Sequence, residues 1–139
     1  MPRRQETLDF QLGYWTSICA LNQENPLFSM APAAQHYYEC KIKKPGYKLR
    51  LDIYKRPFDI KKYCGDVTVS VDTPDQDFEA ICKKISELDF QCDVTPFDNT
   101  KRIVLAETFD VYETSEEGRK TAMKWQKETA EKLRVELGL

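Results

Sequence analysis

The residues able to do chemistry gather between positions 36 and 56. Glu39-Cys40-Lys41 has E-x-K spacing. On an extended strand that spacing puts a carboxylate and an ammonium on one face. With Asp52 from a neighbouring strand, the set suits a metal-dependent phosphodiesterase: the carboxylates hold magnesium and the lysine polarises the attacking water. The aspartate follows the E-x-K string here, whereas the usual arrangement has it first. Polar alternation on an amphipathic strand accounts for the same residues. His36, the single histidine, and Cys40 would make a nucleophilic pair only within hydrogen-bond reach. Four residues apart on a strand, they stand too far from each other.

Metal binding finds no support. Cys19, Cys40, Cys64, Cys82 and Cys92 form no C-x-x-C pair, and structural zinc needs about four convergent ligands. The acidic run Asp72, Asp75, Asp77 and Glu79 contains Pro74 and lacks the central glycine of a calcium loop. Carboxylates there suit the first turn of a helix instead. We expect no metal and no cofactor. An odd cysteine count with no secretory leader predicts reduced thiols in a cytoplasmic protein. No apolar run approaches the ~20 residues that span a bilayer, so no membrane partner is expected.

The stronger signal is charge. From Lys41 to Lys62 the local balance is +7, and from Tyr63 to Thr100 it is -7, so the formal charge of -2 conceals a split. This predicts a bipolar molecule. Lys41, Lys43, Lys48, Arg50, Lys55 and Arg56, with Tyr54 among them, suit phosphate neutralisation and base stacking. They equally suit an acidic protein surface. Lysines that guard a sheet edge against aggregation would look the same.

The elements that position these residues follow from periodicity. Leu8, Leu12, Trp15 and Cys19, with Ile18 beside them, predict a first helix that Asn25-Pro26 ends. Tyr38, Cys40 and Ile42 then alternate with polar neighbours as a strand. Lys44-Pro45-Gly46-Tyr47 fits a type II turn, and Leu49, Leu51 and Ile53 face inward on the return strand. Lys48, Arg50 and Asp52 face outward on this reading, so Arg50→Asp should be tolerated. Pro57 stops the strand, and Val67, Val69 and Val71 define a third. Thr73-Pro74-Asp75-Gln76 predicts a helix start capped by Thr73, with Phe78, Ile81, Cys82, Ile85 and Leu88 as its buried stripe. Phe90, Cys92 and Val94 suggest a strand broken by Pro96. After a turn at Asp98-Asn99, Arg102 to Tyr112 reads as a longer strand. Thr114-Ser115-Glu116-Glu117 opens a last helix that buries Ala122, Trp125, Thr129 and Leu133 and ends near Gly138.

The order α-β-β-β-α-β-β-α predicts an α+β fold, a five-stranded, mainly antiparallel sheet with helices packed on one face. A 139-residue chain that is 41% hydrophobic supplies one core, so residues 1–139 are read as one domain. Tyr14-Trp15, the strand Leu49-Arg50-Leu51-Asp52-Ile53-Tyr54, the helix Phe78–Leu88 and Trp125 resemble a bacterial domain of unknown function often appended to predicted restriction-type nucleases. The resemblance runs from about Leu8 to Leu137 and implies a link to DNA processing. The order of elements is also similar to that of type III secretion chaperones.

Five scattered glycines make no phosphate loop or nucleophile elbow, and the sequence leans away from an enzyme. It favours a non-enzymatic macromolecule-binding module, of the adaptor, inhibitor or immunity type, that uses the basic hairpin and exposed sheet face. Another protein is the expected partner, given the acidic chain. A nucleic-acid-binding accessory of a nuclease system comes second and the phosphodiesterase third.

Overall fold

The computed structural model describes residues 2–55, 66–97 and 99–139. Of the residues singled out above, Arg56, Pro57, Cys64 and Asp98 lie outside them. Five strands, β1 (Tyr37–Cys40), β2 (Lys48–Ile53), β3 (Val67–Asp72), β4 (Asp93–Phe97) and β5 (Arg102–Glu107), form one sheet in the order β1-β2-β3-β5-β4. Every neighbouring pair is antiparallel. Helices α1 (Pro2–Leu21), α2 (Phe78–Glu87) and α3 (Glu116–Leu137) complete the α+β fold in the predicted order.

Strand alternation sorts the side chains onto two faces. Tyr38, Leu51, Val69 and Leu105 lie in one cross-strand row, and Cys40, Leu49, Val71 and Ile103 lie in the next. All eight are buried in one cluster with Trp15, Ile18, Phe78, Ile85, Ala130 and Leu133 of the three helices. Burial of this kind stabilises by roughly 1.5–3 kcal/mol for each large aliphatic side chain. The helices therefore cover one face, and the hairpin's inward residues are those the alternation predicts.

Strand β1 stops at Cys40, short of the predicted Ile42, so the turn sits in a loop of residues 41–47. Gly46 has φ +80°, which position i+2 of a type II turn requires. A Cβ there would meet Pro74 Cγ at 3.1 Å, so the tip of the hairpin rests on the segment that leads into α2. Tyr47 Oη donates to Asp77 Oδ2 at 2.7 Å across the same contact.

Elsewhere the boundaries move. The buried side of α1 is Gln11, Tyr14, Trp15 and Ile18, while Leu12 is 40% exposed. Tyr14 can face inward because its hydroxyl finds a partner in α3, Gln126 Oε1 at 2.8 Å. The α1 helix ends at Leu21, and Asn25 instead caps a turn of 3-10 helix, Pro26–Phe28. Thr73 caps no helix; its N–H donates to Lys101 O at 3.0 Å, and α2 is entered through a 3-10 turn, Asp75–Asp77. Strand β4 begins at Asp93 and runs through Pro96, which an edge strand tolerates because an outward N–H has no ladder partner to lose. Strand β5 stops at Glu107, since the buried Asp66 carboxylate takes the N–H groups of Phe109 and Val111 at 2.7 and 2.9 Å. Those donors leave the ladder for the carboxylate. Ser115 caps α3 by accepting from Gly118 N, and Gly138 closes it in the left-handed conformation. No helix among the described residues is long and apolar enough to cross a membrane.

Candidate functional site

The second face of the sheet carries the other half of each strand. Tyr37, Asp52, Thr68 and Ala106 form one row across it, then Glu39, Arg50, Ser70 and Val104, then Lys48, Asp72 and Arg102. Among the described residues, Val104 and Ala106 pack with Phe97, from β4, apart from the core cluster that the helices join. Thr68, Ser70, Val104 and Ala106 at its centre are nevertheless buried.

Asp52 organises the β1–β2 end of this face. Its side chain is only 3% exposed, and a lone carboxylate there would be costly. Two neighbours satisfy it and a third lies close. Arg50 donates through Nη2 at 2.7 Å and Nε at 3.3 Å, Tyr54 Oη donates at 2.9 Å, and His36 Nε2 lies 3.6 Å away. The Arg50 guanidinium also sits 4.2 Å from the centre of the Tyr37 ring, in cation–π contact. His36 meets Tyr37 edge-on and lies against Tyr54, with ring centres 5.2 and 5.7 Å apart. The result is one preformed cluster of His36, Tyr37, Arg50, Asp52 and Tyr54. Arg50 therefore is not the freely solvated cation that alternation suggested, because its charge is clamped by Asp52.

Three carboxylates of the acidic stretch are likewise engaged inside the fold, while Asp75, Glu79, Glu87, Asp89 and Asp93 stay exposed. Asp66 holds the loop after β5, as described above. Asp72 accepts from Arg102 Nη2 at 3.0 Å, and this hydrogen bond raises the guanidinium pKa above its ordinary value. Asp77 accepts from Tyr47, directly beside the basic hairpin. The acidic stretch thus meets the basic hairpin at its tip through the Tyr47–Asp77 hydrogen bond.

What stays open is a set of lysines. Lys41, Lys43, Lys48 and Lys55 are exposed, and none forms an ion pair with a described residue. Lys44 differs, with Nζ 3.3 Å from the Leu137 carbonyl oxygen and 4.5 Å from the Tyr47 ring centre. Of the hairpin carboxylates, Asp52 is consumed and Glu39 is exposed.

The alternative chemistries read from the sequence are not assembled. Cys40 is buried in the helix-covered core, where burial pushes its thiol pKa far up, while His36 belongs to the opposite face. Lys41 lies beyond the end of β1, and its N–H donates to Leu27 O at 3.2 Å. Asp52 is already engaged by Arg50 and Tyr54. Among the described residues no group of three or more His, Cys, Asp or Glu side chains is placed to hold a metal. Cys19, Cys40 and Cys92 are free thiols. A hollow of about 650 Å³ lies at the far end of α1 between Asn22, Asn25, Lys127, Glu131 and Arg134, and contains none of the expected contact residues.

Sequence reading missed Gln126, which is fully buried. Besides accepting from Tyr14, its Nε2 donates to the carbonyls of Asp52 and Thr68 at 3.2 Å each. It pins α3 to the two strands beneath the Asp52 cluster. One glutamine among the charged residues of a helix gives no signal of this. The His36–Asp52 approach was equally invisible, because it depends on the β1–β2 register. The chain matches no family model, and no curated protein or solved structure is significantly similar to it. The functional reading therefore rests on geometry.

Proposed function

We propose that this protein is a non-enzymatic binding module that engages an anionic surface of a macromolecule through the β1–β2 hairpin. The observation that carries the reading is the contrast within the hairpin. Arg50 and Asp52 neutralise each other, whereas Lys41, Lys43, Lys48 and Lys55 have no carboxylate partner among the described residues. Unpaired like charges along one short hairpin repel each other, and an opposing anionic surface offsets that cost. The aromatic cluster between the lysines is rigid before any partner arrives, which lowers the ordering cost of binding.

The test is binding of wild type and of the triple variant Lys41→Glu/Lys43→Glu/Lys48→Glu to two anionic probes, an oligothymidylate and polyglutamate. Wild type should bind at least one of them with an affinity that falls as salt rises. The triple variant should lose that binding while its melting temperature stays within a few degrees, since these side chains are solvated. A variant that binds as well as wild type, or a wild type that binds neither probe at low salt, overturns the reading.

A further inference from the structure

We infer that the anionic ligand is single-stranded nucleic acid, its phosphates on the hairpin lysines and its bases on the cluster formed by Tyr37, His36 and Tyr54. This rests on the binding-module reading and narrows it. Three members of the acidic stretch, Asp66, Asp72 and Asp77, are spent on internal hydrogen bonds, while Asp75, Glu79, Glu87, Asp89 and Asp93 stay exposed. Choice among anionic partners therefore falls to the hairpin side chains.

The remaining features match single-strand binding. Such sites combine cations that follow a sugar–phosphate backbone with aromatic rings on which bases stack. Here Lys48 opens β2 and Lys55 lies two residues past its other end, so the strand between them spans roughly 17 Å at ~3.3 Å per residue. Lys41 and Lys43 extend the first end, and the three rings lie between. One side of Tyr37 is held by Arg50 at 4.2 Å, and Arg50 is itself fixed by Asp52. A base can stack on the half-exposed ring without any rearrangement of its support. His36, whose side chain is 48% exposed, extends the platform beyond the end of β1. A duplex keeps its bases stacked inside and presents none of them to these rings, so the site should discriminate by strandedness and only weakly by sequence.

The experiment is fluorescence anisotropy with a labelled oligothymidylate of about eight nucleotides, the same length of duplex, and polyglutamate of equal charge. The full-length protein is used throughout, with Tyr37→Ala, Tyr37→Phe and the triple lysine variant beside wild type. We expect the single strand to bind most tightly, with log affinity falling against log salt at a slope near -3, about 0.7 for each of four phosphates neutralised. Tyr37→Ala should weaken it roughly tenfold or more, the scale of one lost base stack, and Tyr37→Phe should restore it. Duplex binding as tight as single-strand binding, or no loss in Tyr37→Ala, overturns the inference. So does lysine-dependent binding of polyglutamate alone, though that result leaves the binding-module reading standing. Silence from every probe removes both.

Discussion

The two faces of the sheet are built from the same strands by opposite means. On the helix-covered face, Leu49, Leu51 and Ile53 exclude water with apolar side chains alone. On the opposite face, Asp52 is just as buried, yet it is held by donors from Arg50 and Tyr54, with His36 close by. The first face depends on volume and hydrophobicity and tolerates exchanges among aliphatics. The second depends on a closed set of hydrogen bonds, which fails when any member is removed.

Leu51→Asp should break this contrast with the largest effect. Leu51 has no exposed surface, and an unpartnered carboxylate in its place costs several kcal/mol. We expect circular dichroism to show no cooperative transition at 25 °C. Arg50→Asp comes next. It removes the main donor to Asp52 and sets a second carboxylate beside it, and losing one member of a buried pair costs about 3–5 kcal/mol. Urea unfolding should show a loss toward the lower end of that range, because Tyr54 and His36 remain. A near-neutral Arg50→Asp would restore the solvated-face picture. Gln126→Leu should cost less, about 1–3 kcal/mol for the buried Tyr14 hydroxyl left without its acceptor. Adding Tyr14→Phe should recover part of that in a double-mutant cycle.

These two kinds of burial explain what the sequence could reveal. Period-two alternation of apolar residues marks the helix-covered face directly, so β1, β2, β3 and their inward residues were legible, as were the α2 stripe and the turn at Gly46. The ends of elements were less so. Pro96 suggested a break because a central strand would not accept it, and only the sheet order makes β4 an edge. Strand β5 looked longer than it is because Asp66, distant in the chain, takes the N–H groups that would have continued the ladder. The face that carries Asp52 was the least legible part. Asp52 reads as an outward polar residue until the register sets Tyr37 opposite it and brings His36 and Tyr54 to its carboxylate.

The smallest expected effect is alkaline. Burial, then the hydrogen bond to Asp77, raises the Tyr47 pKa from 10.0 to about 12. With the folded pKa raised, the stability it confers is complete below pH 10 and is lost as pH rises through about 12. Tyr47→Phe should flatten that part of the stability curve in chemical denaturation.

The most direct test of where the protein binds is an amide-resolved NMR titration of the wild type with the short oligothymidylate. The account predicts shifts concentrated at Tyr37, Lys41, Lys43, Lys48 and Lys55, with the His36 ring signals moving in step. Shifts confined to the hollow around Asn22, Lys127 and Arg134, with the hairpin unmoved, would contradict it.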